Sequence, residues 1–159
     1  MAAPNPFAPP GADLTPPEPR PPGAPWKAVL VGLVVDIAFT IVFSFILSLF
    51  YGGYLAASGH SVEEIQALTE QSELGGFYMF ALYAVGGTGS LIGGYICARI
   101  ARLHEYRVVA ILIAVSIVLG WIIAPAKDGG LEFLLTSILT IVATLAGAWL
   151  GVRRNRSPR

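Results

Sequence analysis

Four stretches of the chain, at about residues 28–51, 76–98, 108–124 and 131–151, are almost wholly apolar. A bilayer core of about 30 Å takes about 20 helical residues to cross, with about 17 to 25 tolerated, so each stretch is long enough to span it. The expected fold class is all-α, an integral membrane bundle of four transmembrane helices. Composition agrees: 55% of the residues are hydrophobic and only 13% are charged, a balance unlike that of soluble domains. The first stretch is too long for a signal-peptide core and contains Asp36, so it is expected to be retained although Leu55-Ala56-Ala57-Ser58 imitates a cleavage site.

The links between stretches set the neighbours. The third stretch ends before Pro125, where a proline readily stops a helix. Lys127-Asp128-Gly129-Gly130 then reads as a tight turn joining the third and fourth helices as an antiparallel hairpin. The second and third are joined through Arg99 to Arg107. Between the first two lies the one sizeable loop, where Ser61-Val62-Glu63-Glu64 has the form of a capping box. Val62, Ile65 and Leu68 recur at helical spacing, so a short helix near residues 62–70 is expected on the membrane face.

Charge gives the bundle a direction. Arg20, Lys27, Arg99, Arg102, Arg107, Arg153, Arg154, Arg156 and Arg159 fall on one side of a four-span topology, leaving Lys127 opposite. Positive residues near helix ends stay in the cytoplasm, so both termini are expected there. Glu63, Glu64, Glu70, Glu73, Asp128 and Glu132 lie on the other side. Trp26, Tyr95, Tyr106 and Trp149 mark the inner boundary, and Tyr51, Tyr54, Tyr78 and Trp121 the outer one, as interfacial belts do. Arg99, Arg102, Arg107, Arg153 and Arg154 are placed to meet anionic lipid headgroups, although topological retention explains them equally well.

Residues 1–25 hold most of the prolines and are expected to form an extended, disordered cytoplasmic tail, with a second, basic tail at 153–159. The segment Asn5-Pro6-Phe7-Ala8-Pro9-Pro10 resembles the Asn-Pro-aromatic-Ala-Pro opening of uncharacterised small bacterial four-helix inner-membrane proteins. Gly93-Gly94-Tyr95-Ile96-Cys97-Ala98-Arg99 is similar to helix ends in uncharacterised bacterial multi-span families. Together these resemblances imply a location, the bacterial inner membrane, and no activity.

Asp36 is the one acid well inside a span. Nine residues beyond Lys27, it lies roughly 14 Å deep at 1.5 Å per residue, where inserting a charge costs about 2.5 to 3.5 kcal/mol. An intramembrane carboxyl is therefore a functional candidate. Gly32, Asp36, Thr40, Ser44 and Ser48 recur every four residues as one small, polar ridge, which must face protein or water. Matching depths on the other helices reaches Thr88 and Ser90, Ser116, and Thr140 and Thr144, giving an expected polar layer around Asp36. The alternative is that each hydroxyl bonds the carbonyl four residues back in its own helix.

The second stretch carries Gly86-Gly87-Thr88-Gly89-Ser90 and then Gly93-Gly94. Gly89 and Gly93 form GxxxG, Gly86, Ser90 and Gly94 an overlapping small ridge, and Gly147 and Gly151 repeat the spacing on the fourth helix. All are expected to be packing positions that let helices approach closely. The glycine run is not a phosphate cradle, because it lies within a lipid-length apolar segment without the lysine such a loop needs.

An enzyme is not expected. Cys97 is the only cysteine, which excludes an intrachain disulfide or CxxC chemistry; it reads as a packing residue. His60 and His104 fall on opposite sides of the membrane, so one copy cannot bring both to a metal or an acid–base site. No catalytic residue, cofactor, metal or nucleic-acid partner is expected. The bilayer is the primary partner, with a second copy or another membrane protein as the further candidates. The function read from these residues is a multi-pass, non-enzymatic accessory or interaction component. The competing reading is a small homodimeric transporter or proton-coupled carrier using Asp36, similar to the small four-helix drug exporters, which however carry a glutamate and lack the proline tail.

Overall fold

The computed structural model describes residues 23–70, 76–123 and 130–156. Described residues form five helices: α1 (Pro25–Ala57), α2 (Val62–Glu70), α3 (Phe77–Ala101), α4 (Glu105–Ile123) and α5 (Gly130–Arg156), with no strand among them. All except α2 are long and apolar enough to cross a membrane. The expectations for the proline-rich segment before residue 23, the Lys127 turn, Pro125, Glu73 and residues 157–159 lie outside the described residues.

Helix ends follow local chemistry rather than lipid thickness. Pro25 sits in the first turn of α1, where its missing N–H costs no bond and its φ suits a helix. At 33 residues α1 runs well past the apolar stretch that ends near residue 51 and reaches roughly 50 Å. It stops where Gly59 adopts a φ of +91° and Ser58 Oγ donates to the Tyr54 carbonyl. The next helix, α2, opens on a reciprocal cap. Glu64 N donates to Ser61 Oγ at 3.2 Å and Ser61 N to Glu64 Oε2 at 2.9 Å, which satisfies two otherwise orphan donors. Arg102, with φ +55°, ends α3. At the other end of the chain α5 continues through Arg153 and Arg154 to Arg156, so the basic segment expected as a separate tail from residue 153 begins as helix.

The long helices are not arranged as a symmetric bundle. α3 is central, packed along much of its length against α1 on one side and α5 on the other, and among the described residues α1 and α5 do not meet. Helix α4 is buried only over its first two turns, at Val108, Val109 and Leu112. The buried core accordingly gathers where α1 begins and α5 ends, here called the terminal end. Ala28 of α1, Cys97, Ala98 and Ala101 of α3, those three residues of α4, and Ala148 and Val152 of α5 form one cluster. Towards the far end Phe50, Trp121 and Ile123 are 76%, 62% and 75% exposed.

Glycines let α3 touch both neighbours through backbone. A Cβ on Gly93 would come within 2.8 Å of the Gly32 carbonyl, and one on Gly32 within 2.9 Å of the Gly93 carbonyl, so α1 and α3 meet glycine to glycine. On the α5 side Gly94 lies under the Thr144 carbonyl, Gly147 under the Leu91 carbonyl, and Gly151 would meet Tyr95 O at 2.8 Å. Such contacts involve rigid backbone that a new side chain cannot push aside. Gly93→Val or Gly147→Val should therefore destabilise the fold by about 2 kcal/mol or more. Gly120→Ala, where a Cβ meets nothing within 4 Å, should instead leave stability unchanged or raise it by up to about 1 kcal/mol, because alanine is the better helix former. Unfolding in detergent, monitored by helical circular dichroism, checks the contrast.

Candidate functional site

The polar ridge of α1 faces α3. Its register follows from the four-residue repeat, because residues four apart stack on one face. Gly32 meets Gly93, and one turn on Asp36 lies beside Gly89, where an added Cβ would come 3.0 Å from Asp36 Oδ1 and 2.7 Å from Thr40 Oγ1. Asp36, Thr40, Gly89, Ser90 and Gly93 are thus brought together at the α1–α3 seam. Ser90 is 5% exposed, and its hydroxyl lies 3.3 Å from each oxygen of the Asp36 carboxyl, to which it donates. This bond joins two helices near the middle of their spans.

The rest of the expected layer does not assemble around Asp36. Thr88 is exposed and donates to the Ala84 carbonyl of its own helix at 2.7 Å. The reason is angular: residues two apart on a helix point about 200° apart, so Ser90 and Thr88 cannot both face Asp36. Thr144 is buried and Thr140 half-buried on α5, a helix separated from α1 by α3. Ser116 is half-buried on α4. Arg99 donates to Asn155 of α5 rather than reaching Asp36.

Among the glycines named from the sequence, Gly89 and Gly93 face α1, while Gly94, Gly147 and Gly151 form the α3–α5 seam. Gly86 is the exception, since a Cβ there would meet nothing within 4 Å. The glycine that lies towards α5 is its neighbour Gly87, with Leu139 Cδ1 at 3.5 Å from its Cβ position.

Further polar ties bind α3 to its neighbours. At the far end the Tyr78 and Ser48 hydroxyls share a hydrogen bond of 2.9 Å, and Tyr78 stacks on Tyr51 with ring centroids 4.5 Å apart. Tyr83 donates to Glu132 of α5 at 3.3 Å. At the terminal end Asn155 Nδ2 donates to the Ala98 carbonyl at 3.0 Å and its Oδ1 accepts from Arg99 at 3.2 Å. Sequence reasoning missed Asn155; its one signal was being an amide within an arginine-rich helix end. Arg102, Arg107 and Arg154 are exposed at the same end, and Arg153 lies over the Trp149 ring at 5.6 Å. Cys97 is buried in the core cluster.

Compared with known proteins, the chain matches no family model, no curated protein and no solved structure.

Chemically, the Asp36–Ser90 pair is an interhelical hydrogen bond built on a glycine contact. Bonds of this kind contribute about 0.6 kcal/mol on average and up to about 1.7. Ser90→Ala should therefore lower stability by about 1 kcal/mol. Asp36→Asn should come close to wild type, because the amide oxygen still accepts from Ser90, whereas Asp36→Leu should lose the bond and crowd Gly89. Unfolding midpoints of the three variants in one detergent test the ordering.

Proposed function

We propose that the chain is a multi-pass protein of a bacterial inner membrane with both termini in the cytoplasm, acting as a non-enzymatic accessory or interaction component. One observation carries this reading. The polar ridge of α1 is engaged internally by α3, whereas its other faces present bare apolar side chains, with Ile41 63%, Phe45 64% and Phe50 76% exposed. The far half of α4 is similarly bare at Trp121 and Ile122. These unclosed apolar helix faces are suited to lipid and to a further transmembrane helix. The segregation of Lys and Arg to one side supports the orientation, and the short N-terminal motif supports the bacterial setting.

A second reading is a small homodimeric carrier that binds a proton or cation at Asp36, favoured by the carboxyl's place inside a span beside Ser90 and Thr40. Purification in native nanodiscs separates the two. A reproducible heteromeric partner supports the accessory role, and a clean homodimer with pH-sensitive ligand binding replaces it with the carrier. For the carrier, dye uptake in vesicles should differ between wild type and Asp36→Asn; indistinguishable uptake across pH removes it. A reporter that matures only in the cytoplasm should be active when fused to either end of the chain, and silence from one end refutes the proposed topology.

A further inference from the structure

Where α1 begins, a cleft of about 560 Å³ opens between it and α4, lined by Pro25, Trp26, Val29, Leu30, Leu33 and Ile111. We propose that this cleft holds one acyl chain of an anionic phospholipid, with its phosphate held by Lys27 and Arg107. Its volume lies within the range of small-molecule sites, about 300 to 1,000 Å³. The lining is almost wholly hydrocarbon, with the Trp26 indole N–H its one polar side-chain group, so water in the cleft is poorly satisfied, whereas a hydrocarbon chain entering sideways from a bilayer meets matching surface. Val29 and Leu33 form the floor, packed on the buried core cluster. Trp26, Leu30 and Ile111 form the walls and are 65%, 52% and 54% exposed, leaving apolar surface for an occupant to cover.

A second, independent feature fixes the headgroup. Lys27 Nζ sits over the Trp26 ring, 5.5 Å from its centroid, so the indole that lines the cleft also carries a cation. Lys27 also precedes Leu30 by three residues, and Arg107 precedes Ile111 by four. Both exposed cations are thus stacked on the terminal side of cleft-lining residues. That is the depth at which hydrocarbon gives way to phosphate in a membrane whose surface lies at the terminal end. Glu105, the acid nearest in sequence, is two residues from Arg107 and so points about 200° away around α4. Net negative lipid is favoured over zwitterionic lipid by about fivefold for each such cation.

The inference rests on the proposal that the chain spans a membrane. The test uses the full chain, extracted from membranes and incubated with equal amounts of phosphatidylglycerol or phosphatidylcholine, with bound lipid counted by native mass spectrometry. Wild type should retain phosphatidylglycerol about tenfold or more over phosphatidylcholine. Lys27→Gln should cut that preference about fivefold, and Leu30→Trp, which fills the cleft from an exposed wall, should reduce retention of both lipids. If Leu30→Trp does not keep the wild-type unfolding midpoint, Leu30→Phe fills the same space. Equal retention of the two lipids, or retention unaffected by filling the cleft, overturns the proposal while the membrane reading stands. Recovery of the protein without detergent overturns both.

Discussion

The backbone contact that α3 makes with both of its neighbours is the constraint on which the remaining structure depends. Lipid supplies no hydrophobic drive between apolar helices, so their association relies on close packing and on hydrogen bonds that close approach makes reachable. Gly93 against Gly32 brings α1 in, and Gly94, Gly147 and Gly151 bring α5 in. Once the axes are that close, short side chains can bridge them. Ser90 reaches Asp36 across one seam, and Asn155 reaches the Ala98 carbonyl across the other. Larger residues at the glycine positions would part the helices and break these bonds together.

Packing is also unequal along the bundle. Alanine, cysteine, valine and leucine close the terminal end around Cys97 and Leu112, while beyond Leu112 no described residue of α4 is buried and large apolar side chains are bare. Small residues at the closed end let α1, α4 and α5 all contribute to one core with α3. The far end is held instead by individual ties, Tyr78 to Ser48 and Tyr83 to Glu132. The molecule thus has one end closed by a buried core, with bare apolar helix faces along the rest and beside the Trp26 cleft.

Much of the local structure was legible because it depends on near neighbours in the chain. The Ser61–Glu64 cap of α2 needs only residues three apart, and the apolar stretches become helices because each is uniformly apolar over a sufficient length. The α1 ridge was legible for the same reason, since Gly32, Asp36 and Thr40 recur at the helical period. Depth counting was less secure. It grouped Thr88, Ser90, Thr140 and Thr144 by their distance along the helix axis, but contact also depends on the angle around it. Thr88 points outward and bonds Ala84, and Thr144 lies on the seam with Gly94. Gly86 and Gly87 show the same limit: a shift of one residue, about 100° around the helix, decides which of two adjacent glycines faces α5.

What the sequence by itself determined is therefore the inventory: four membrane-length helices, a short capped helix between the first two, one polar ridge and a set of small residues on α3 and α5. Tertiary structure decided the arrangement. It placed α3 between α1 and α5, gave Asp36 to Ser90 rather than to a layer shared by four helices, gave Arg99 to Asn155, and opened an apolar cleft beside Lys27. The physical reason is that periodicity names the face a residue occupies but not the helix opposite it. That choice rests on matching two differently angled glycine surfaces of α3 to partners about fifty residues or more away, a long-range fit that no local pattern contains.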